Sequence, residues 1–316
     1  MSLLTNLELD RLIAEMPAFL HTVLGQVTPT DRAIYYWATK EYYSGKGTIV
    51  DAGALVGSTA VLLGEGLSNN SNADLSKKQI FSYDLFEDEP DGYMATVIKD
   101  WYPDDDQSGE VFDFLRYFKK NTQKYEPFIE VVKGDLVEND YQEKRDIEIL
   151  SIDVAKNEEL MLHCAQVFFP RLIPGKSLVL HQDYVFPYYP WILIAMELLS
   201  DYFEKVYDAP DFCTSVFICK KKITRKVIDD VLGKRVEDYF NIDNAKYMYQ
   251  AIEKNQHYTG RFVHSVCLAY FYYKLGQAET AVHVGKRAMV EYSPTKELIE
   301  NSGAQWFLKD FLHLNV

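Results

Sequence analysis

A chain of 316 residues, 47% of them hydrophobic, is long enough for one large core and a smaller one. Its 33 basic and 47 acidic side chains leave a net charge of −14, which repels phosphate backbones and anionic lipid, so no nucleic acid and no membrane partner is expected and a small molecule is. Cys164, Cys213, Cys219 and Cys267 form no C-x-x-C pair, which argues for reduced, buried thiols over a zinc site or a disulfide framework. No apolar run approaches the ~20 residues of a membrane span, and Glu8, Asp10, Arg11 and Glu15 interrupt the N-terminal segment; a cytoplasmic protein is expected.

Within an N-terminal helical segment, 1–45, apolar residues at helical spacing (Leu4, Leu7, Leu12, Met16, Phe19, Leu20, Val23) predict an amphipathic helix over 3–25. The stretch GTIVDAGALVGSTA, 47–60, reads as strand, tight glycine turn and helix. Further strands are predicted at 79–84, 128–133, 147–152 and 177–181, with helix-length segments between them, the pattern of a parallel sheet covered on both faces. A helix at 190–201 follows. Then YFEKVYD and TSVFICKK are separated only by APDFC, too short for a parallel crossover, so an antiparallel pair ends the sheet. A seventh, antiparallel strand distinguishes the methyltransferase version of the doubly wound fold from the dehydrogenase version.

From about 224 the pattern is wholly helical, giving a C-terminal extension over 223–316. Within it LAYFYYKLGQAETAVHVGKRAMVEYSP resembles one tetratricopeptide repeat, with Leu275, Gly276, Ala281, Ala288 and Pro294 at the repeat's spacing. One copy cannot make a solenoid, and the extension carries more apolar and aromatic side chains than a hairpin can bury. The surplus must meet the sheet domain or a partner subunit, and a homodimer through this tail is the expectation.

Ligands of open α/β sheets bind at strand carboxyl ends. Those ends carry Asp51 with Gly53, Gly57 and Ser58, then Asp84, then Gly134 and Asp135, then Asp153, then His181 to Tyr184. The first turn, D-x-G-x-x-x-G-S, lacks the second glycine of the dinucleotide fingerprint. Its two glycines can instead bring backbone N–H groups to an amino-acid carboxylate, with Asp51 near the ammonium. Asp84 is placed to accept both ribose hydroxyls, and Gly134-Asp135 offers a carboxylate to an adenine amino group. Amino acid, ribose and adenine in that order describe S-adenosylmethionine.

Over roughly 45–220 the sequence resembles class I S-adenosylmethionine-dependent methyltransferases: VDAGALVGSTA looks like their first motif, SYDLF their second and KGDL their adenine-contacting turn. The resemblance implies an α/β doubly wound, seven-stranded, mostly parallel sheet in a donor-binding domain over 46–222. The block SIDVAKNEELMLHCAQVFFPRLIPGKSLVLHQDY is similar to metal-dependent small-molecule O-methyltransferases, including catechol, caffeoyl-CoA and macrolide-sugar types. That likeness implies Mg²⁺ as a further cofactor, held by Asp153, Gln182 and Asp183, with Lys156 helping to deprotonate the acceptor hydroxyl. The sequence departs from that pattern where Ala155 replaces an acid and Gln182 replaces Asp or Asn. His181 is the alternative general base, having an intrinsic pKa near neutrality, and is equally readable as a satisfied strand-end histidine.

The stretch 84–113 holds eleven acids against one base, Lys99, and the aromatics Phe86, Tyr93, Trp101, Tyr102 and Phe112, a candidate lid. Tyr184, Tyr188, Tyr189 and Trp191 form a candidate aromatic wall for a sugar or planar phenol. The expected activity is methyl transfer to an oxygen of a small molecule. Two alternatives stay open: a non-catalytic binding protein that kept the fold, and a nucleotide-dependent oxidoreductase, which the glycine spacing disfavours.

Overall fold

In the computed structural model, residues 4–104, 109–139, 141–210 and 213–314 are described. The chain divides into two compact units, Met1–Val154 and Ala155–Val316.

The first unit begins with α1, Asn6–Glu15, whose start is fixed by a capping box: Thr5 Oγ1 accepts from the Glu8 N–H and the Glu8 carboxylate accepts from the Thr5 N–H. Pro17 cannot continue that helix, and a 3₁₀ turn, Ala18–His21, follows; the single helix expected over 3–25 is two pieces. Leu3 and the Leu7 side chain lie outside the described residues. Thr28 and Asp31 form a second capping box at α2, Pro29–Trp37. Then come β1 (Thr48–Ala52), α3 (Ser58–Ser68), β2 (Ile80–Asp84), α4 (Tyr93–Trp101), α5 (Leu115–Thr122), β3 (Ile129–Lys133) and β4 (Ile147–Ile152). Every residue of β1 and β4 is buried, as continuous apolar strands of a two-sided sheet must be. β1 pairs in parallel with β2 (Val50 opposite Phe81) and with β4 (Val50 opposite Leu150), and β2 pairs in parallel with β3.

The second unit supplies α6 (Glu158–Phe168), β5 (Leu178–Val185), α7 (Pro190–Leu198), β6 (Phe203–Asp208) and β7 (Cys213–Cys219). The seven strands run in the order β3-β2-β1-β4-β5-β7-β6, and β7 is antiparallel to both β5 and β6. This is the mostly parallel doubly wound sheet expected, with the antiparallel strand that marks the methyltransferase version.

After β7 the chain is helical: α8 (Arg225–Val231), α9 (Val236–Tyr239), α10 (Ala245–Lys254), α11 (Tyr258–Lys274), α12 (Ala278–Tyr292) and α13 (Lys296–Asn301). Tyr239, Phe262, Val266 and Phe271 are fully buried, whereas Tyr249, Tyr258, Val290 and Trp306 of the same extension are exposed. His264 on α11 packs edge-on against Tyr184 of β5 (5.5 Å), and Phe240 against Trp191 of α7 (6.1 Å). Ala281 and Ala288, the small positions of the repeat-like hairpin, are buried on α12. Cys164, Cys219 and Cys267 are free and buried, while the Cys213 side chain lies outside the described residues. No described helix is long and apolar enough to cross a membrane.

Candidate active site

The first unit brings Asp51, Gly53, Asp84 and Asp153 to the ends of three adjacent strands. Gly53 adopts φ +98°, and a Cβ there would lie 2.8 Å from the Asp153 carbonyl carbon, so glycine is required for the turn to pass against the end of β4. Gly57, at φ +91°, caps α3 without a side chain, and a Cβ on it would meet Thr122 Cγ2 at 2.9 Å. Close packing, the second role that a glycine turn can serve, thus accounts for both glycines.

The turn's own N–H groups are mostly taken. Gly53 and Ala54 donate to Tyr83 O (2.9 and 3.2 Å), Gly57 donates to Ala54 O (2.8 Å), and Leu55 donates to Asp84 Oδ2 (2.8 Å). The expectation that Gly53 and Gly57 present bare N–H groups to a carboxylate is therefore corrected: the open donors of this turn belong to the first turn of α3, from Ser58 onward, where the helix leaves N–H groups without intrahelical acceptors. Gly25 lies directly over that helix start, since a Cβ on it would fall 2.2 Å from Ser58 Oγ. Next to it Gln26 Nε2 donates to the Tyr93 hydroxyl on α4 (3.3 Å). Asn121 donates to Val56 O (2.8 Å) and to the Tyr102 hydroxyl (2.9 Å), pinning the turn from α5. No motif announces Gly25, Gln26 or Asn121; only their position in the fold does.

Asp84 closes β2 with a carboxylate held on both oxygens: Oδ2 accepts from Leu55 N–H (2.8 Å) and Oδ1 from Phe86 N–H (2.9 Å). Leu55 and Phe86 both have positive φ (48° and 56°), a backbone arrangement that the two bonds help to hold. Burial raises the Asp84 pKa above the ordinary carboxylate value, against the lowering effect of these bonds. Asp51 is fully enclosed; its Oδ2 accepts from Thr59 Oγ (3.0 Å) and Ser82 Oγ (3.3 Å), and its Oδ1 meets no partner among the described residues. Burial pushes its pKa up to about 7. Gly134 (φ +129°) donates to Asp84 O (3.0 Å), which sets the following Asp135 beside the end of β2; Asp135 is exposed and caps its own turn through Val137 N–H (2.9 Å).

Of the candidate lid, Phe86 and Phe112 are core residues, Phe86 packing against Phe118 at 5.0 Å, while Tyr93 is exposed. Residues 105–108 of that acidic stretch lie outside the described residues.

In the second unit β5 carries a bulge: His181 lies opposite Ser215 and Val185 opposite Cys213, so three residues of β5 face one of β7. Asp183, inside the bulge, has φ +60°, in the left-handed region that few side-chain-bearing residues other than Asn and Asp adopt. The bulge turns Asp183 to the Lys156 ammonium, with which it forms an ion pair, and Lys156 Nζ stands 5.5 Å over the Tyr189 ring. The structure thus joins Lys156 and Asp183, expected as a catalytic lysine and a metal ligand, in one ion pair.

His181 differs from expectation. It is fully buried, its Nδ1 contacts Gln182 O (3.1 Å), its Nε2 has no partner among the described residues, and burial lowers its pKa to about 4, so the near-neutral base foreseen from its intrinsic value is absent. Gln182 is also buried, and its Oε1 accepts from Thr214 Oγ (2.9 Å). Among the described residues no group of three or more His, Cys, Asp or Glu is arranged to hold a metal. With Gln182 turned to Thr214 and the Asp183 carboxylate neutralised by Lys156, the expected Mg²⁺ ligands do not fit a hard cation as they stand. Of the aromatic wall, Tyr184 is buried against Phe217 (5.1 Å) and Trp191 donates its Nε1–H to Ala155 O (2.8 Å); both are core residues, leaving the half-buried Tyr188 and Tyr189 with Phe186.

No family profile and no curated protein matches the chain. Among solved structures it is similar to CalS11, a TDP-rhamnose 3'-O-methyltransferase of calicheamicin biosynthesis (15% identity, 67% of this chain and 91% of that one, TM-score 0.43). It is also similar to an O-methyltransferase from Bacillus cereus in complex with SAH (14%, 69% and 92%, 0.38) and to the pyocyanin biosynthetic protein PhzM (12%, 68% and 68%, 0.37). Superpositions this loose do not say which residues act.

Proposed function

We propose that the first unit binds S-adenosylmethionine and that the protein transfers its methyl group to an oxygen of a small molecule. The observation that carries this reading is the Asp84 carboxylate. Each oxygen has two lone pairs, and one on each is occupied by a backbone N–H. Leu85 N–H also approaches the carboxylate, and the acceptor capacity that is left suits the paired hydroxyls of a ribose. The first turn of α3 offers N–H groups and a positive dipole end to the amino-acid carboxylate, and Asp135 serves the adenine amino group. The glycine turn without a dinucleotide fingerprint, together with the antiparallel β7, favours this donor over a nicotinamide nucleotide.

On the acceptor side the Lys156–Asp183 pair supplies the chemistry. The acceptor hydroxyl gives its proton to the Asp183 carboxylate as its oxygen attacks the methyl carbon. The carbon–sulfur bond breaks with its electron pair going to sulfur, and the sulfonium becomes a neutral thioether. The Lys156 ammonium stabilises the oxygen's developing negative charge. No step is routed through a metal. Substituting Lys156→Met or Asp183→Asn tests this: transfer should fall while S-adenosylhomocysteine still binds, and transfer at the wild-type rate in both variants would reject the assignment.

A further inference from the structure

Among the described residues the segment after β5 pairs with no strand. Its bonds go instead to the end of the C-terminal extension, within the second unit. The Tyr188 hydroxyl donates to the Gly303 carbonyl oxygen. The Tyr188 ring is boxed edge-on by Tyr270 on α11 (5.3 Å), Trp306 (5.5 Å) and Phe307 (6.5 Å). Gly303 itself is left-handed (φ +73°), and the place of a Cβ on it would lie 3.9 Å from the Phe186 ring. Phe307 and Leu308 are fully buried, so this end of the chain is anchored in the core rather than trailing.

The contacts continue toward the proposed chemistry. Phe186 touches both Tyr188 (5.4 Å) and Tyr189 (5.1 Å), and Tyr189 lies under the Lys156 ammonium, whose partner is the strained Asp183. A positive φ at a residue with a side chain persists only where surrounding contacts hold it. The sheet supplies such contacts at both ends of the bulge, through His181 opposite Ser215 and Val185 opposite Cys213. After Val185 the holding contacts come from Tyr270 on α11 and from 303–307.

We propose that Tyr188 is a positioning residue for the Lys156–Asp183 pair, and that the end of the helical extension, through Gly303, Trp306 and Phe307, is the clamp that fixes it. The extension is then a working part of the acceptor side and not an appended module. The inference rests on the methyl-transfer reading only for its kinetic consequence; the clamp itself is a statement about geometry.

The test uses the full chain. Reductive methylation with ¹³C-formaldehyde gives each lysine a dimethylammonium signal, and the Lys156 signal is assigned by its loss in Lys156→Arg. Tyr188→Phe removes one hydroxyl and leaves the ring; Trp306→Phe keeps an aromatic face and serves as a second variant should the first unfold. The Lys156 signal is expected to shift in Tyr188→Phe, and backbone exchange over 183–189 to quicken at least threefold. With 3,4-dihydroxybenzoate as acceptor, kcat should drop about tenfold with an unchanged S-adenosylhomocysteine affinity. The same substitution made in Lys156→Met should cost nothing further, because a positioning residue acts only through what it positions. An unmoved Lys156 signal with unchanged exchange overturns the proposal, as does a full, independent loss in the double variant. If the wild type fails to bind S-adenosylhomocysteine, the methyl-transfer reading falls, while the lysine signal and exchange still decide the clamp.

Discussion

Replacing Asp84 by asparagine alters one atom and tests the donor site where the structure is most specific. The wild-type carboxylate accepts from Leu55 N–H at 2.8 Å and Phe86 N–H at 2.9 Å, and its remaining acceptor capacity is assigned to a ribose diol. Hydrogen bonds to a charged acceptor contribute ~1.5–3 kcal/mol and neutral ones ~0.5–1.5, so neutralising the group weakens two ribose contacts by about 2–3 kcal/mol together. At roughly tenfold per 1.4 kcal/mol, S-adenosylhomocysteine should bind about 30- to 140-fold more weakly. The amide also opposes one of the two backbone N–H groups with its own donor, leaving it without an acceptor at a cost of ~1–3 kcal/mol of stability. Asp84→Ala, which removes both acceptors, should weaken binding at least as much. Isothermal titration with S-adenosylhomocysteine reads the affinity, and thermal unfolding of the same samples reads the stability. A folded Asp84→Asn protein that binds within threefold of wild type would refute the ribose assignment.

Asp51 sets a pH dependence. Its folded pKa of about 7 lies above its unfolded value of ~3.9, so between these the native state binds more protons than the unfolded one. Its contribution to stability is fully present below the unfolded pKa and is lost as pH rises toward 7; Asp51→Asn should flatten that slope in denaturant titrations, and an identical slope in the variant would contradict the burial argument. Lys156→Met and Asp183→Asn should each slow methyl transfer by about 10²–10⁴ with donor affinity unchanged in calorimetry. Transfer should survive EDTA, because Gln182 and Asp183 are engaged by Thr214 and Lys156; a loss restored by added Mg²⁺ would show that these side chains turn. A chain ending at Lys222 uncovers the faces of Tyr184 and Trp191 that His264 and Phe240 cover, and should aggregate. The extension buries Tyr239, Phe262 and Phe271 but leaves Tyr249, Tyr258, Val290 and Trp306 exposed, so the full chain should sediment as a homodimer through that tail; a monomer that persists at high concentration would refute it.

The sheet was legible because its strands are short, apolar and β-branched, and because APDFC is too short for anything but an antiparallel connection. Asp84 was legible for the same reason: a lone acid ending an apolar run marks a strand's carboxyl end. The use of the glycine turn was not, since Gly53 and Gly57 look alike in sequence whether their N–H groups face a ligand or Tyr83 and Ala54. Nor could the sequence separate Tyr184 and Trp191 from Tyr188 and Tyr189. β5 is buried on both faces, so it shows no alternation, and the bulge at 182–184 shifts which side chains turn inward. His181 follows from the same burial, which lowers its pKa in a way that residue type alone does not reveal. The tail's docking in cis depends on contacts distant in sequence, Tyr184 with His264 and Tyr188 with Gly303, that no local pattern encodes.

Calorimetric titration of the wild-type chain with S-adenosylhomocysteine, beside a matched titration with NAD, tests the central claim most directly. The account predicts one saturable site per chain for S-adenosylhomocysteine and no heat above dilution for NAD; saturable NAD binding, or no binding of S-adenosylhomocysteine by the folded protein, would contradict it.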